Sequence, residues 1–249
     1  MRLRVLGSSG TYPVVGNPAS GYLVDRDGIS VMLDTGPGSF AALQEVMDPG
    51  ALDAVVVSHV HFDHCLDLFS LFTLLRYRTP ATGTLPVFVP EGAALHLAAF
   101  ARAGPDHDFY RVFDWRTVGS GDHAEIGPFV LRFGAAAHPV PALVVGMEAE
   151  DGSLAYSGDT GPGGDLADLA VGASALLCEA TMQGERTRDT YPYHLTAAEA
   201  GEVAAAAGAG RLYVTHVAPT LDPAVSVAEA AARYRGPVEW AAPGLEVDV

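Results

Sequence analysis

Lysine is missing from this chain: all fourteen basic residues among its 249 are arginine. Neither a Schiff-base lysine nor a phosphate-loop lysine is available, which removes both mechanisms at the outset. Cysteine is almost absent too, with only Cys65 and Cys178, both in apolar contexts. Two thiols make no disulfide framework and read as packed side chains in a reducing compartment. No stretch reaches the roughly 18 apolar residues of a membrane span, and Met1 to Gly7 carries no long apolar signal region. A cytoplasmic protein with no membrane association is therefore expected. No Pro/Ser-rich linker, charge block, internal repeat or low-complexity tract divides the sequence, and with 49% hydrophobic residues it can bury a full core. Residues 1–249 are expected to form a single domain. Positive charge is scarce as well, the formal net charge being −16. Such a surface repels polyanions beyond a Debye length of roughly 10 Å at moderate salt, so extended nucleic-acid binding is not expected.

What the chain does have is a regular sequence of short apolar runs separated by turn signals. Arg2 to Leu6, Gly21 to Val24, Ile29 to Leu33, Ala54 to Val57, Pro86 to Val89, Phe129 to Phe133, Leu143 to Met147, Leu154 to Tyr156, Ala175 to Leu177 and Leu212 to Val214 read as strands. Ser39 to Met47, Asp63 to Tyr77, Gly92 to Ala103, Thr196 to Ala207 and Val225 to Tyr234 read as helices. The tail from Val238 to Val249 reads as a final strand pair. Early hairpins followed by alternating strands and helices predict a layered α/β domain with a mixed sheet.

The densest chemistry lies in His59-Val60-His61-Phe62-Asp63-His64, where four of six residues are metal-binding types and follow directly on Val55-Val56-Val57. His59 and His61 are two apart, so in an extended segment both imidazoles point to the same side. Asp63 and His64 fall where the chain turns into a helix, within reach of a second, adjacent position. Imidazole and carboxylate ligands suit zinc, iron or manganese. Three further ligand types stand after other predicted strands: His138, Asp159 and His216. Strand ends converge on one rim of a sheet, where α/β proteins commonly place their sites, and the glycines of Gly158-Asp159-Thr160-Gly161 let the backbone turn closely.

The order His-x-His-x-Asp-His, lone His, Gly-Asp-Thr, Thr-His resembles the metallo-β-lactamase fold. Leu6-Gly7-Ser8-Ser9-Gly10, Ser20-Gly21-Tyr22-Leu23, Leu33-Asp34-Thr35-Gly36 and Cys178-Glu179-Ala180-Thr181 extend the resemblance over nearly the whole chain. His194-Leu195-Thr196 is similar to the phosphodiesterase and RNase Z branch of that superfamily. Within that branch, Asp63 to Leu68 and Leu154 to Gly161 most resemble compact bacterial cyclic-nucleotide phosphodiesterases. The resemblance implies a four-layer αββα sandwich with a dinuclear site between its sheets. It implies His59, His61 and His138 on a first divalent metal, Asp63, His64 and His216 on a second, and Asp159 bridging them. Zinc is the expected ion, with manganese or iron as alternatives.

Asp63, Asp159 and His194 are the catalytic residues this implies. A hydroxide bridging the metals would attack phosphorus, and His194 would hydrogen-bond a phosphoryl oxygen or protonate the leaving alkoxide. The implied activity is hydrolysis of a small anionic phosphodiester, a 3′,5′-cyclic nucleotide giving the 5′-nucleotide. A tRNA 3′-end endonuclease is the alternative within the branch, and thioester, lactone or lactam hydrolysis the alternatives on the fold. His138 and Asp159 are close enough in sequence for a hairpin and little else, which weighs against a tRNA-grasping arm between them. Asp34 and Glu179 either orient ligand imidazoles or fix turns, and Arg186 and Arg188 either contact phosphate or are solvated. His96, His107 and His123 are expected to face solvent, and Ser8 and Ser9 lack a base that would make them nucleophiles. The apolar stretch Leu66 to Leu75 is either a homodimer interface or a core helix.

Overall fold

Apolar runs flanked by turns become strands here because both faces of the inner strands find a neighbour to bury against. In the computed structural model, which describes residues 1–78 and 83–249, the first strands are β1 (Arg2–Gly7), β2 (Gly21–Arg26), β3 (Ile29–Leu33), β4 (Ala54–Val56), β5 (Leu85–Val89) and β6 (Phe113–Thr117). Then follow β7 (His123–Ile126), β8 (Phe129–Ala135), β9 (Leu143–Ala149), β10 (Gly152–Tyr156), β11 (Ala175–Glu179), β12 (Leu212–Thr215), β13 (Val238–Trp240) and β14 (Glu246–Asp248). One sheet runs β14-β1-β2-β3-β4-β5-β6 and the other β13-β12-β11-β10-β9-β8-β7. In each, consecutive strands pair antiparallel at first, β1 to β3 and β7 to β10. They then pair parallel, β3 to β6 and β10 to β13. The two halves share a topology that no sequence repeat announces.

Parallel neighbours need crossover connections, and most of the helices occupy them. They are α1 (Ser39–Val46), α2 (Phe62–Cys65), α3 (Leu68–Tyr77), α4 (Ala93–Phe100), α5 (Phe109–Val112), α6 (Leu166–Leu169), α7 (Ala197–Ala207) and α8 (Pro223–Ala231). Three separate cores fix the layering. Leu3, Tyr22 and Val31 of the first sheet meet Leu131, Phe133 and Tyr156 of the second. On the outer face of the first sheet, Leu23, Met32 and Val55 pack with Leu43, Leu71, Leu97 and Phe109. On the outer face of the second, Leu176 and Val214 pack with Leu166, Ala200, Ala204 and Ala230. Tyr22 and Leu23 thus face opposite cores, as the two-residue period of a strand requires. The layers run helix, sheet, sheet, helix, the four-layer sandwich expected, in a single domain.

Three expectations change. The helix foreseen over Asp63 to Tyr77 is two helices, because at the junction the Asp67 N–H donates to Thr35 O (2.8 Å) and Asp67 Oδ2 accepts from the Phe40 N–H (2.9 Å). These bonds draw the chain toward α1. The tail forms two strands, but β13 pairs with β12 and β14 with β1, so they lie in different sheets. Finally, β6 and β7 were not foreseen; both are edge strands, and the half-exposed His123-Ala124-Glu125-Ile126 has no apolar run to betray it. In α3 the buried residues are Leu68 and Leu71, which face the first-sheet core. Among the described residues, no helix is long and apolar enough to cross a membrane.

Candidate metal centre

The ligand-type residues meet on one rim of the cleft between the sheets. β4 leads to His59, β8 to His138, β10 to Asp159 and β12 to His216, while α2 carries Asp63 and His64. Two clusters result, His59, His61, His138 with Asp159, and Asp63, His64, His216 with Asp159, each with its ligand atoms within 4.8 Å of one another. Asp159 belongs to both: its Oδ2 is 3.6 Å from His59 Nε2 and its Oδ1 3.1 Å from His64 Nε2. The preceding Gly158 turns the chain with φ +52°, and a side chain there would strike Leu143 O. His216 itself stands at φ +51°, a left-handed conformation that surrounding contacts must hold.

Hydrogen bonds on the far side of the rings fix which nitrogen faces the cleft. Ser58 Oγ donates to Asp34 Oδ2 (2.7 Å), which leaves its oxygen to accept from His59 Nδ1 (3.0 Å). His64 Nδ1 donates to Asp34 Oδ2 (2.7 Å). Thr181 Oγ1 donates to Glu179 Oε2 (2.5 Å) and accepts from His216 Nδ1 (2.8 Å). His138 Nδ1 donates to Tyr193 O (3.2 Å). All four imidazoles therefore turn Nε2 inward. His61 turns its Nδ1 in, 3.1 Å from His59 Nε2 and 3.0 Å from His138 Nε2.

Crowded nitrogen lone pairs repel one another unless a cation lies among them. Tetrahedral nitrogen ligands about 2.0–2.1 Å from zinc stand about 3.3 Å apart, close to the spacing here. Asp159 Oδ1 is buried and no donor is aligned with it, despite His64 Nε2 at 3.1 Å and His216 Nε2 at 3.4 Å. Such an orphaned carboxylate oxygen is costly without a counter-ion. Donor types, spacing and the unsatisfied oxygen all fit a pair of divalent ions.

The protein's own charges polarise the two clusters differently. Burial pulls His59 well below its ordinary value and His138 down to about 4, and it lowers His61 as well. Burial also opposes charge on His64, but Asp159 and Asp34 outweigh it and hold that imidazole well above its ordinary value. A proton there offsets the carboxylates where a cation otherwise would. Burial works against the Asp159 carboxylate too, yet the surrounding imidazoles, His216 and His64 foremost, hold it well below the usual range.

His194 lies beside these clusters, just before Thr196, which caps α7 reciprocally with Glu199. Its Nδ1 is 3.1 Å from Glu179 Oε1 and 3.9 Å from Asp159 Oδ2, and its ring stacks on His216 with centroids 5.7 Å apart. Burial lowers its affinity for a proton, but the bond to Glu179 and the charges of Glu179 and Asp159 prevail and raise it. Asp34 and Glu179 both act on site residues. Asp34 holds His64 directly and His59 through Ser58, and Glu179 holds His194 directly and His216 through Thr181.

Other sequence candidates lie elsewhere. Arg186 is engaged by Glu199 and by the carbonyls of Tyr191 and His194, so it braces the loop that carries His194. The Arg188 side chain is 93% exposed and its recorded partner is Asp189. His96, His107 and His123 are exposed. Ser9 Oγ donates to Tyr12 O (2.7 Å) and Ser8 lies against Asn17, so neither is an activated nucleophile. Sequence reasoning missed Ser58, Thr181 and Tyr156, whose hydroxyl donates to Asp34 Oδ2 (2.5 Å). Thr181 left one usable signal: it lies two residues beyond Glu179 at a strand end and so shares its side.

Residues 30–217 match the family described as the beta-lactamase superfamily domain. The uncharacterized protein ML1173 of Mycobacterium leprae is 36% identical over 254 residues, an overlap covering 100% of this chain and 89% of that protein. The Bacillus subtilis protein YhfI, described as a probable metallo-hydrolase, is 26% identical over 228 residues, 87% of each chain. Its crystal structure, that of a metallo-beta-lactamase fold protein, superposes with a TM-score of 0.87 at 24% identity, covering 99% of this chain and 98% of its own. The short form of human tRNase Z gives a TM-score of 0.79 at 19% identity, covering 100% and 99%.

Proposed function

The chain belongs to the beta-lactamase superfamily, and from that premise we propose that it is a metal-dependent hydrolase of small phosphodiesters, opening a 3′,5′-cyclic nucleotide to the 5′-nucleotide. His59, His61, His138 and Asp159 would hold one divalent ion, and Asp63, His64, His216 and Asp159 the other. When bound, zinc, or manganese or iron in its stead, supplies a hydroxide nucleophile near neutral pH and neutralises charge growing on the phosphoryl oxygens.

The observation that carries the reading is the placement of His194. Cleaving a phosphodiester expels an alkoxide, which leaves poorly unless it gains a proton. Glu179 takes the Nδ1 hydrogen bond of His194 and favours its imidazolium, so the transferable proton is the one on Nε2. Thr181 ties the same carboxylate to His216, so acid and metal ligand are oriented by one network. Asp34 keeps His64 turned inward.

A small substrate is favoured over tRNA by what stands between His138 and Asp159. That interval is filled by the β9–β10 hairpin, whose strands pair with β8 and β11 inside the second sheet. The net charge of −16 and the engagement of Arg186 leave little basic surface for a polyanion. Human tRNase Z nevertheless shares the fold, which makes precursor tRNA the proper competitor substrate. Protein loaded with zinc or manganese should convert cyclic AMP to 5′-AMP, and Asp159→Ala should lose both turnover and metal retention. Faster cleavage of precursor tRNA, or no cyclic-nucleotide turnover under either metal, would overturn the proposal.

A further inference from the structure

Two aromatic side chains on the rim have no part in the chemistry above. Tyr191 and Tyr193 are 48% and 37% exposed, in a loop whose other residues are mostly charged or polar. Their rings meet each other with centroids 5.4 Å apart. Tyr191 also lies over His194 at 5.6 Å and 33°, and Tyr193 meets His138 edge-on at 6.3 Å. Phe62 and Phe100, which are also exposed, instead pack on one another at 5.9 Å, and Phe100 packs on Phe69. The tyrosine pair thus touches the imidazoles on which the phosphate reading depends, one against the proton donor and one against a metal ligand.

The loop holds these rings in place before any ligand arrives. Tyr193 O accepts from His138 Nδ1, and Arg186 donates to the carbonyls of Tyr191 and His194. Between the tyrosines, Pro192 O is seated against Gly161, where a side chain's Cβ would come within 1.9 Å of it. Adjacent exposed aromatic rings at a polar rim are the kind of surface that marks a binding site, and holding them in place beforehand lowers the ordering cost of taking up a planar ligand. With lysine absent and Arg186 committed, the tyrosine π-faces and the exposed guanidinium of Arg188 are what this loop offers for recognition, and only the π-faces touch the site imidazoles.

We propose that Tyr191 and Tyr193 form a stacking platform for the base of the substrate, so that the enzyme selects nucleotides over base-free phosphodiesters. The proposal rests on the phosphodiesterase reading and assigns these two residues as specificity determinants rather than catalytic groups. The anchoring of Tyr193 to His138 runs through the main chain, so removing the ring leaves the metal ligand's partner in place.

The test compares cyclic AMP with the cyclic 3′,5′-phosphate of ribose lacking a base, using metal-loaded protein whose metal content is measured for every variant. Base stacking on an aromatic side chain corresponds to about 5- to 150-fold in affinity. Tyr193→Ala and Tyr191→Ala should raise KM for cyclic AMP within that range. The kcat should stay within about 3-fold, as expected for loss of uniform binding. KM for the base-free substrate and metal content should not move, and Tyr193→Trp should restore cyclic AMP binding. Phe100→Ala, an exposed ring away from the site imidazoles, should alter neither substrate. Equal KM changes for both substrates, or a wild type indifferent to the base, would overturn the platform while leaving the phosphodiesterase reading intact. No turnover of either substrate by wild type would overturn both.

Discussion

Asp34→Asn separates the two roles open to a buried carboxylate at a strand end. Asp34 is fully buried and accepts four hydrogen bonds, from the Ser58 N–H (2.6 Å), Ser58 Oγ (2.7 Å), His64 Nδ1 (2.7 Å) and the Tyr156 hydroxyl (2.5 Å). It also sits at φ +58°, a conformation asparagine tolerates well, so the substitution leaves the backbone unstrained. What changes is that one acceptor becomes a donor. If the amide nitrogen faces Ser58, a buried backbone N–H loses its partner. If it faces His64, the imidazole must accept at Nδ1 and carry its proton on Nε2, the atom that faces the cleft. Bonds to a charged partner contribute about 1.5–3 kcal/mol each, so a net loss of about 2–4 kcal/mol is expected. In a chain of this size that lowers Tm by roughly 5–15 °C. Removing a ligand's orienting partner also costs about 10- to 100-fold in metal affinity. Competition titration against a chelator should therefore find one equivalent of zinc weakened by that factor and the other, held by His59, His61 and His138, changed less. If both equivalents bind as in wild type while Tm falls, Asp34 merely fixes a turn and the orienting argument fails.

The two clusters should also differ in pH response. His64 is held above its ordinary value and His59, His61 and His138 below theirs, so loading the Asp63/His64/His216 cluster near pH 7 must displace a proton while loading the other need not. Calorimetry in buffers of different ionisation enthalpy should detect proton release with one equivalent only; equal release from both would refute this assignment. By linkage, His64 stabilises the metal-free protein fully below its unfolded value and progressively less as pH rises through the raised folded one. The lowered His138 acts in the opposite sense, removing stability as pH falls from about 6.5 toward its folded value of about 4. Arg186→Gln should lower kcat about 10-fold or more at unchanged metal content, because the fork that braces the His194 loop is lost. Arg186→Lys should not restore it, since one ammonium cannot span the same acceptors; wild-type kcat in either variant would show that the brace is dispensable.

The ligands were legible because their chemistry and spacing are local. A His-x-His pair after an apolar run needs little beyond the strand period to be read, and strands buried on both faces announce themselves as apolar runs. Phe113–Thr117 and His123–Ile126 lack such a run, each mixing charged or polar residues with apolar ones, and so escaped notice. Asp34 and Glu179 were legible as candidate orienting carboxylates, but the hydroxyls that work with them were illegible for a different reason. Tyr156 meets Asp34 only because β10 of one sheet packs over the β3 end of the other, and Thr181 meets His216 only because β11 and β12 are parallel neighbours. Neither pairing has any trace in the linear order of residues. Arg186 illustrates the converse, a charge that looked available in sequence and is consumed by Glu199 and two carbonyls in the fold.

His59, His61, Asp63 and His64 are carried by elements of the first sheet's half, and His138, Asp159 and His216 by the second. Bound ions would therefore act as a latch across the seam between two sheets that otherwise meet mainly through apolar side chains, with few directional bonds such as Tyr156 to Asp34 and Tyr22 to Thr215. A small slip of one sheet over the other would part the ligands while every strand kept its backbone partners. Rising temperature or denaturant should then extinguish activity and release metal before the far-ultraviolet signal of the strands declines, making the rim, rather than the core, the weakest mechanical joint of the molecule.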